Sequence, residues 1–334
     1  MATTFKNFLS NDLANTRTLL HEAIPVTGTV CSGTYTDLNI KEYGHGMFQS
    51  VYDYPHLSSS ANHIFDLTFG YHSSSAIQAL ANSQNSKKMN IYNQMAQVLV
   101  GYDVTGSIKK FTKSDGTEIR DAIFVNFARL LTKDEIKKGS FTLDVLTGSL
   151  GALPNKSMII TDTSGATGYR IDSPAGEYGY LYDADGVEKG NLYYQAGVAI
   201  LSGGVVFKNK FGSGETTGDE TSFVTLSTGS AIGEVADGFR NRLSNVSFNN
   251  TTELNSTIYF CRVNHNDFNY SSNPTYLTGS KLRVKTMAAD APVSYLTTVG
   301  MYSADNELLA VAKLSEPLRK SSDTELTLRA RIDY

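Results

Sequence analysis

The chain lacks tryptophan and carries only two cysteines, Cys31 and Cys261, in 334 residues. That number and spacing exclude a disulfide framework and a thiolate metal cluster. Charge is also scarce, at 19% of residues, and the net charge of −4 leaves no basic stripe for phosphate contacts, so a nucleic-acid partner is not expected. No apolar run approaches the roughly 18 residues of a membrane-crossing helix, and Met1 to Leu9 has no charged leader followed by an apolar core. The reading is therefore a protein without a membrane partner, made in the cytosol and staying soluble or assembling there, in which Asn245-Val-Ser247 and Asn249-Asn-Thr251 lose their meaning as glycosylation acceptors. Phosphate-binding loops, dinucleotide fingerprints, His-Glu-x-x-His, Gly-x-Ser-x-Gly and Cys-x-x-Cys are all missing, and no cofactor is expected.

What is abundant is Ser, Thr, Asn, Gly and Tyr, with 19 Tyr against 16 Phe, a balance that suits a β-rich fold with a polar but weakly charged surface. Phe5, Phe8, Leu9, Leu13, Leu20 and Ala23 recur with near-heptad spacing, which predicts an amphipathic helix or helical arm over residues 1–24. His63 to Gly70 alternates Phe65, Leu67 and Phe69 against polar residues and reads as a strand. Lys88 to Tyr102 places Met89, Tyr92, Ala96 and Leu99 on one helical face, stopping near Gly101. From Ser140 the period becomes two, through Phe141 to Val145, Ser157 to Thr161, Tyr178 to Tyr182 and Leu192 to Ile200, with turn residues between the runs. Ala231 to Leu243 is a short helix candidate, and strands resume from Leu254.

The last 43 residues read as three consecutive strands joined by tight turns: Val293 to Tyr302, Glu307 to Leu314 and Thr324 to Tyr334. In the last, Leu326, Leu328, Ala330, Ile332 and Tyr334 face one way and Thr327, Arg329, Arg331 and Asp333 the other. A faint echo links Tyr178 to Glu188 with Val299 to Leu309, each an aromatic strand, an Asp-containing turn and a second strand. The fold class is thus α+β, mainly β: an N-terminal helical or mixed part, an inserted antiparallel β module, and C-terminal antiparallel strands that complete a sheet. The domain reading is an arm at 1–24, a scaffold of 25–139 with 231–334, and an inserted module at 140–230.

The hairpin Thr297-Thr-Val-Gly-Met-Tyr-Ser-Ala-Asp-Asn-Glu-Leu-Leu-Ala-Val-Ala312 resembles the I-T-x-V-G-L-Y-D-x-x-G-x-L-L-A-V-A hairpin of tail, baseplate and fibre-anchoring proteins of tailed bacteriophages, with Asn306 where those often have Gly. Phe124 to Leu143 and the loop Asn264 to Tyr276 are similar to virion structural proteins of large marine and contractile-tailed phages. The resemblance implies a non-enzymatic structural subunit of the virion tail, baseplate wedge or fibre-anchoring type, in a multi-copy ring or wedge with other tail subunits. A neck, collar or fibre-attachment position is the alternative within that class. A host-glycan-binding module and a tail-borne hydrolase are the competing classes. The residues taken as subunit contacts are Phe5, Phe8, Leu9, Phe268, Tyr270 and Tyr276, because an amphipathic arm and a long aromatic loop both need a surface to order against.

Local chemistry offers little else. Asp183-Ala-Asp185-Gly186-Val-Glu188 clusters carboxylates as a calcium loop would, yet lacks the downstream bidentate Glu, and an Asp-Gly hairpin turn accounts for it. His45, His56, His63 and His72 lie near one another in sequence without a metal-ligand spacing. His72-Ser73-Ser74-Ser75 sets a base beside hydroxyls, but its neighbourhood signals neither an orienting acid nor an oxyanion hole, and capping of the next helix explains the run. No catalytic or metal-binding residue is assigned.

Overall fold

A computed structural model describes residues 5–26, 37–80, 83–146, 157–203, 211–212, 220–221, 227–240, 242–270, 277–278, 281–282, 289 and 292–334. Of these, 48% lie in strands and 17% in helices, so the chain is mainly β. It forms two compact units: residues 20–252, and residues 1–19 with 253–334. Strands β1 (Leu13–Val26) and β16 (Leu243–Val263) contribute residues to both.

The unit of residues 20–252 is built on one large antiparallel sheet. Its further strands in chain order are β2 (Ile40–Glu42), β3 (Gln49–Tyr52), β4 (His63–Tyr71), β5 (Phe111–Thr112), β6 (Glu118–Ile119), β7 (Asp121–Phe127), β8 (Glu135–Ile136), β9 (Thr142–Leu146), β10 (Ser157–Thr161), β11 (Tyr178–Asp183), β12 (Glu188–Tyr193), β13 (Val198–Ser202), β14 (Phe211–Gly212) and β15 (Glu220–Thr221). The spatial order is β1-β16-β9-β10-β11-β12-β13-β7-β4-β3-β2, with β8 on β16 at Asn250 and Thr251. Thus the strands expected as an inserted module at 140–230 continue the same ladder, Ala199 of β13 facing Val125 of β7 and Leu67 of β4 facing Val125 from the other side. The central strands are buried on both faces: every residue of β12 and β13 is buried, and the whole hydrophobic core cluster falls within this unit.

Helix α1 (Asn85–Leu99) covers β4, burying Ile91, Tyr92, Ala96 and Leu99. The approach is so close at Gly70 that a Cβ there would stand 2.6 Å from the carbonyl oxygen of Lys88, which explains the glycine in an otherwise apolar strand. The helix ends as its sequence requires, with the Gly101 N–H returning to the Ala96 carbonyl at 3.0 Å and Gly101 at φ +81°. Short helices α2 (Arg129–Thr132) and α3 (Gly165–Gly168) are followed by α4 (Ile232–Arg240), which also packs on β4. Ser75 caps the single turn Ala76–Ala79 through the Ile77 N–H, the structural role open to that serine run.

The unit of residues 1–19 and 253–334 adds β17 (Leu277–Thr278), β18 (Lys281–Leu282), β19 (Val293–Tyr302), β20 (Leu308–Ser321) and β21 (Leu326–Asp333). β21 pairs antiparallel with β16 from Ser256↔Asp333 to Val263↔Leu326. The alternation holds within the strand, with Thr327, Arg329, Arg331 and Asp333 exposed and Leu326, Leu328, Ala330 and Ile332 covered to a greater degree, but Tyr334, expected on the covered face, lies past the strand end and is exposed. β19 and β20 form a ribbon of their own from Val293↔Ser321 to Tyr302↔Leu308.

Two sequence expectations are overturned. Among the described residues of 1–24 no α-helix forms: residues 5–9 have no regular secondary structure, Ser10–Asp12 makes one 3-10 turn, and β1 starts at Leu13. The near-heptad apolar spacing is coincidental on a run containing Thr16, Thr18, Ile24 and Pro25, which disfavour a helix. The strand is held instead by β16, where Thr257 donates to Asn15 at 2.8 Å and His21 meets Thr251 at 3.1 Å. The second C-terminal strand is also longer than expected: β20 runs on through Pro317 to Ser321 rather than ending at Leu314, while β21 pairs with β16 and so completes a sheet as expected.

One turn recurs throughout. At 103–107, 113–117, 183–187 and 303–307 the first residue's N–H bonds the fifth residue's carbonyl and the fourth residue's N–H returns to the first carbonyl. The fourth residue is left-handed each time: Gly106 at φ +81°, Gly116 at +83°, Gly186 at +75° and Asn306 at +61°. This is a type I turn with a glycine-type bulge. The echo between Tyr178–Glu188 and Val299–Leu309 is this shared turn, with Tyr182↔Glu188 and Tyr302↔Leu308 as matching closing pairs.

Candidate interaction surface

The unit of residues 1–19 and 253–334 inverts the usual arrangement of side chains. Among its described residues the buried ones include Asp12, Ser256, Thr257, Ser294, Lys320 and Ser321, against Val263, Met301 and Ala330 among the hydrophobics. Outward stand Phe5, Leu9, Tyr295, Tyr302, Leu308, Leu309 and Val311, with Leu309 67% exposed. In β20 the buried positions are the last two, Lys320 and Ser321, and the apolar stretch Leu308 to Val311 is half-covered or open. A free two-stranded ribbon with such a face is marginal in water by itself.

Within this unit a groove of about 440 Å³ opens beside β16, β19 and β21. Phe5, Phe8, Phe268, Met301, Cys261 and Leu328 are among the residues that line it. Residues 5–8 line it outside any strand and are held by side chains. Phe5 sits edge-on to Tyr302 at 5.2 Å, Phe8 lies 5.4 Å from Tyr259, and the Lys6 ammonium pairs with Asp267 at 2.5 Å. Asp12 anchors the base of this arm by accepting from the Leu9 N–H at 2.9 Å and pairing with Arg262. The Leu9 N–H and then the Arg262 guanidinium hold the Asp12 carboxyl below the usual carboxylate range, against the opposing effect of burial. Lys6 does the same for Asp267. The Cys261 thiol is pushed up by burial and by the Asp12 charge, so it presents a neutral sulfur and not a nucleophilic thiolate.

Residues 264–270, which follow β16, are held by specific hydrogen bonds. The fully buried Lys320 ammonium donates to the His265 carbonyl at 3.0 Å, the Asn269 side-chain carbonyl at 2.6 Å and the Ser321 carbonyl at 2.7 Å, using all three of its protons. Ser294 donates to the Phe268 carbonyl, and Phe268 is held left-handed at φ +53°. A bulky residue in that conformation persists only where its surroundings fix it. The result presents Phe268 and Tyr270, 37% and 47% exposed, on a locked backbone.

Of the residues singled out from sequence, Phe5, Phe8 and Phe268 meet in this groove, and Tyr270 lines an adjoining hollow with Phe5, Lys6 and Asp267. Leu9 lies at the foot of the arm, exposed and outside the groove lining. Tyr276 lies outside the described residues. Sequence reasoning passed over Lys6, Asp12, Arg262, Ser294 and Lys320. Each has a partner some 26 to 261 residues away in the chain, which no local spacing signals.

The other sequence candidates are occupied by structural roles. Asp183 accepts from the Asp185 and Val187 N–H groups at 3.1 and 2.8 Å and pairs with Lys189 at 2.9 Å. His63 pairs with Asp66 at 2.8 Å, while His72 Nδ1 accepts from the Ser74 N–H at 3.0 Å and sits 2.8 Å from its hydroxyl. Burial lowers the His72 pKa, helped by the positive charge of Lys110. Among the described residues no group of three or more His, Cys, Asp or Glu side chains is placed to hold a metal ion, and no helix is long and apolar enough to cross a membrane. Comparison with protein-family models, with curated proteins and with solved structures gives no match.

Proposed function

We propose that this chain is a non-enzymatic structural subunit of a tailed-phage virion, seated in the tail baseplate as a wedge-like connector in a multi-copy assembly with other tail subunits. The observation that carries the reading is the inverted residue distribution of the chain-terminal unit. Polar side chains are consumed inside it, while Tyr295, Tyr302, Leu308, Leu309 and Val311 stand outward on a ribbon of 10- and 14-residue strands. An apolar ribbon of that length is stabilised when a neighbour covers it. The hairpin that resembles those of phage tail and fibre-anchoring proteins is this ribbon. Residues 20–252 supply the scaffold that such a connector needs, with a continuous apolar core.

The test is incorporation. Replacing Leu308, Leu309 and Val311 together by serine changes exposed positions only, so circular dichroism and thermal melting of the purified chain should stay close to wild type. Particles assembled in the producing host should then lose this subunit, as read by mass spectrometry of purified virions. Normal incorporation of the triple variant would remove the proposal's main support.

A further inference from the structure

We propose that residues 5–8 are an exchangeable arm, and that in the assembly they seat in the groove of a second copy of this chain. The inference rests on the reading of the chain as an assembly subunit and names one of its partners.

Three observations carry it. First, the arm is attached by side chains: Phe5 on Tyr302, Phe8 on Tyr259 and Lys6 on Asp267, with residues 5–9 outside every strand and no main-chain bond from residues 5–8 to the groove among the described residues. Such an arm can leave without opening a sheet. Second, the rest of the groove lining is held without the arm. Lys320 and Ser294 fix the segment carrying Asp267 and Phe268, and the paired strands β16 and β21 supply Cys261 and Leu328. Third, the fit in place is incomplete. Phe5 remains 50% exposed, Phe8 38%, and about 440 Å³ stays open beside them.

The occupant follows from complementarity. The arm offers one cation and two phenyl rings, and the groove answers with the Asp267 carboxylate and the Tyr302 and Tyr259 rings. A second copy carries the same arm by definition, so exchange re-forms every contact with no new surface, the low-barrier route to association open to a domain swap. The pivot is the turn Ser10–Asp12, where Asp12 is fixed by the Leu9 N–H and by Arg262.

Charge reversal separates exchange from a fixed arm. In Lys6→Glu alone or Asp267→Lys alone, the arm meets a like charge both in its own groove and in that of an identical copy. In a 1:1 mixture of the two full-length variants, both crossed pairings are attractive and both self-pairings repulsive. Sedimentation velocity over a concentration series is the readout, with circular dichroism to show that each variant folds. Arm exchange predicts a dimer in the mixture with an association constant at least about tenfold above either variant alone, and a return to the wild-type constant when both substitutions share one chain. A mixture that associates no more tightly than its components overturns the inference. That outcome would leave the serine-triple incorporation test standing, and loss of the virion reading would show there while the dimer persisted.

Discussion

Residues 20–252 and the chain-terminal unit reach stability by opposite means. In the first, β12 and β13 are buried at every position and aromatic side chains such as Phe124, Phe111 and Tyr92 pack in edge-to-face and tilted pairs at 5.3 to 6.4 Å. In the second, the buried positions are dominated by polar groups with specific partners, Lys320 foremost, and the large apolar side chains face outward. The difference teaches where to look for function. An exposed apolar ribbon on a unit that buries mainly polar side chains is what the proposed assembly role would use, and the packed core of residues 20–252 gives it a scaffold.

The sharpest way to break the contrast is to damage the packed unit. A Cβ at Gly190 would stand 1.8 Å from the Ile200 carbonyl oxygen of the neighbouring strand, a backbone atom that cannot swing aside. Gly190→Ala is therefore expected to destabilise residues 20–252 by more than about 3 kcal/mol, visible as a large drop in denaturant midpoint. A melt unchanged from wild type would show that the central ladder is looser than described.

Lys88 gives a comparably large, pH-dependent signal. Its ammonium is fully buried in α1 and donates to the Ser227 and Ser230 carbonyls at 2.6 and 2.9 Å, and burial pushes its pKa from 10.5 to about 8. Because the unfolded chain holds this proton up to a higher pH than the folded one, the lysine's penalty is full below pH 8 and is relieved as pH rises from about 8 to 10.5. Stability against urea should climb over that window by up to about 3 kcal/mol, and Lys88→Met should flatten the climb. A flat profile in the wild type would contradict the assignment.

In the chain-terminal unit the corresponding test is Lys320→Met, which strips the donor from three carbonyl oxygens. We expect a loss of about 2 kcal/mol, confined in hydrogen exchange to residues 264–270 and the ribbon. Protection in β12 and β13 should not change. If it falls equally, the two units are not separate in stability.

The smallest effect concerns the ribbon's turn. Asn306 holds φ +61° where Gly106, Gly116 and Gly186 occupy the same place in the other turns, so Asn306→Gly should raise stability by about 0.5 kcal/mol or leave it unchanged. A clear loss would mean that the Asn side chain has a role of its own.

The same contrast explains what the sequence revealed. β9, β10 and β11 were legible because each has one covered face, so the period of two is written in Leu143 and Val145 or in Leu181, and α1 was legible from Tyr92, Ala96 and Leu99. β1 was not. From Leu13 to Ala23 it is exposed or half-exposed, so no alternation marks it, and chance apolar spacing suggested a helix. Which strand β21 joins was equally hidden, since Ala330 faces Tyr259 across 71 positions of chain and β20 was the nearer candidate. The site showed itself only through its aromatics. Phe5, Phe8, Phe268 and Tyr270 stood out as residues that need a surface, while Lys6, Asp12 and Lys320, which place them, act through partners far along the chain.

Hydrogen–deuterium exchange of the free chain against the same chain in purified virions tests the central claim most directly. The account predicts that amides of β19 and β20 slow by at least about tenfold in the particle while those of β12 and β13 stay at their free-chain rates. Equal rates in the ribbon, or particles that do not contain the chain, would contradict it.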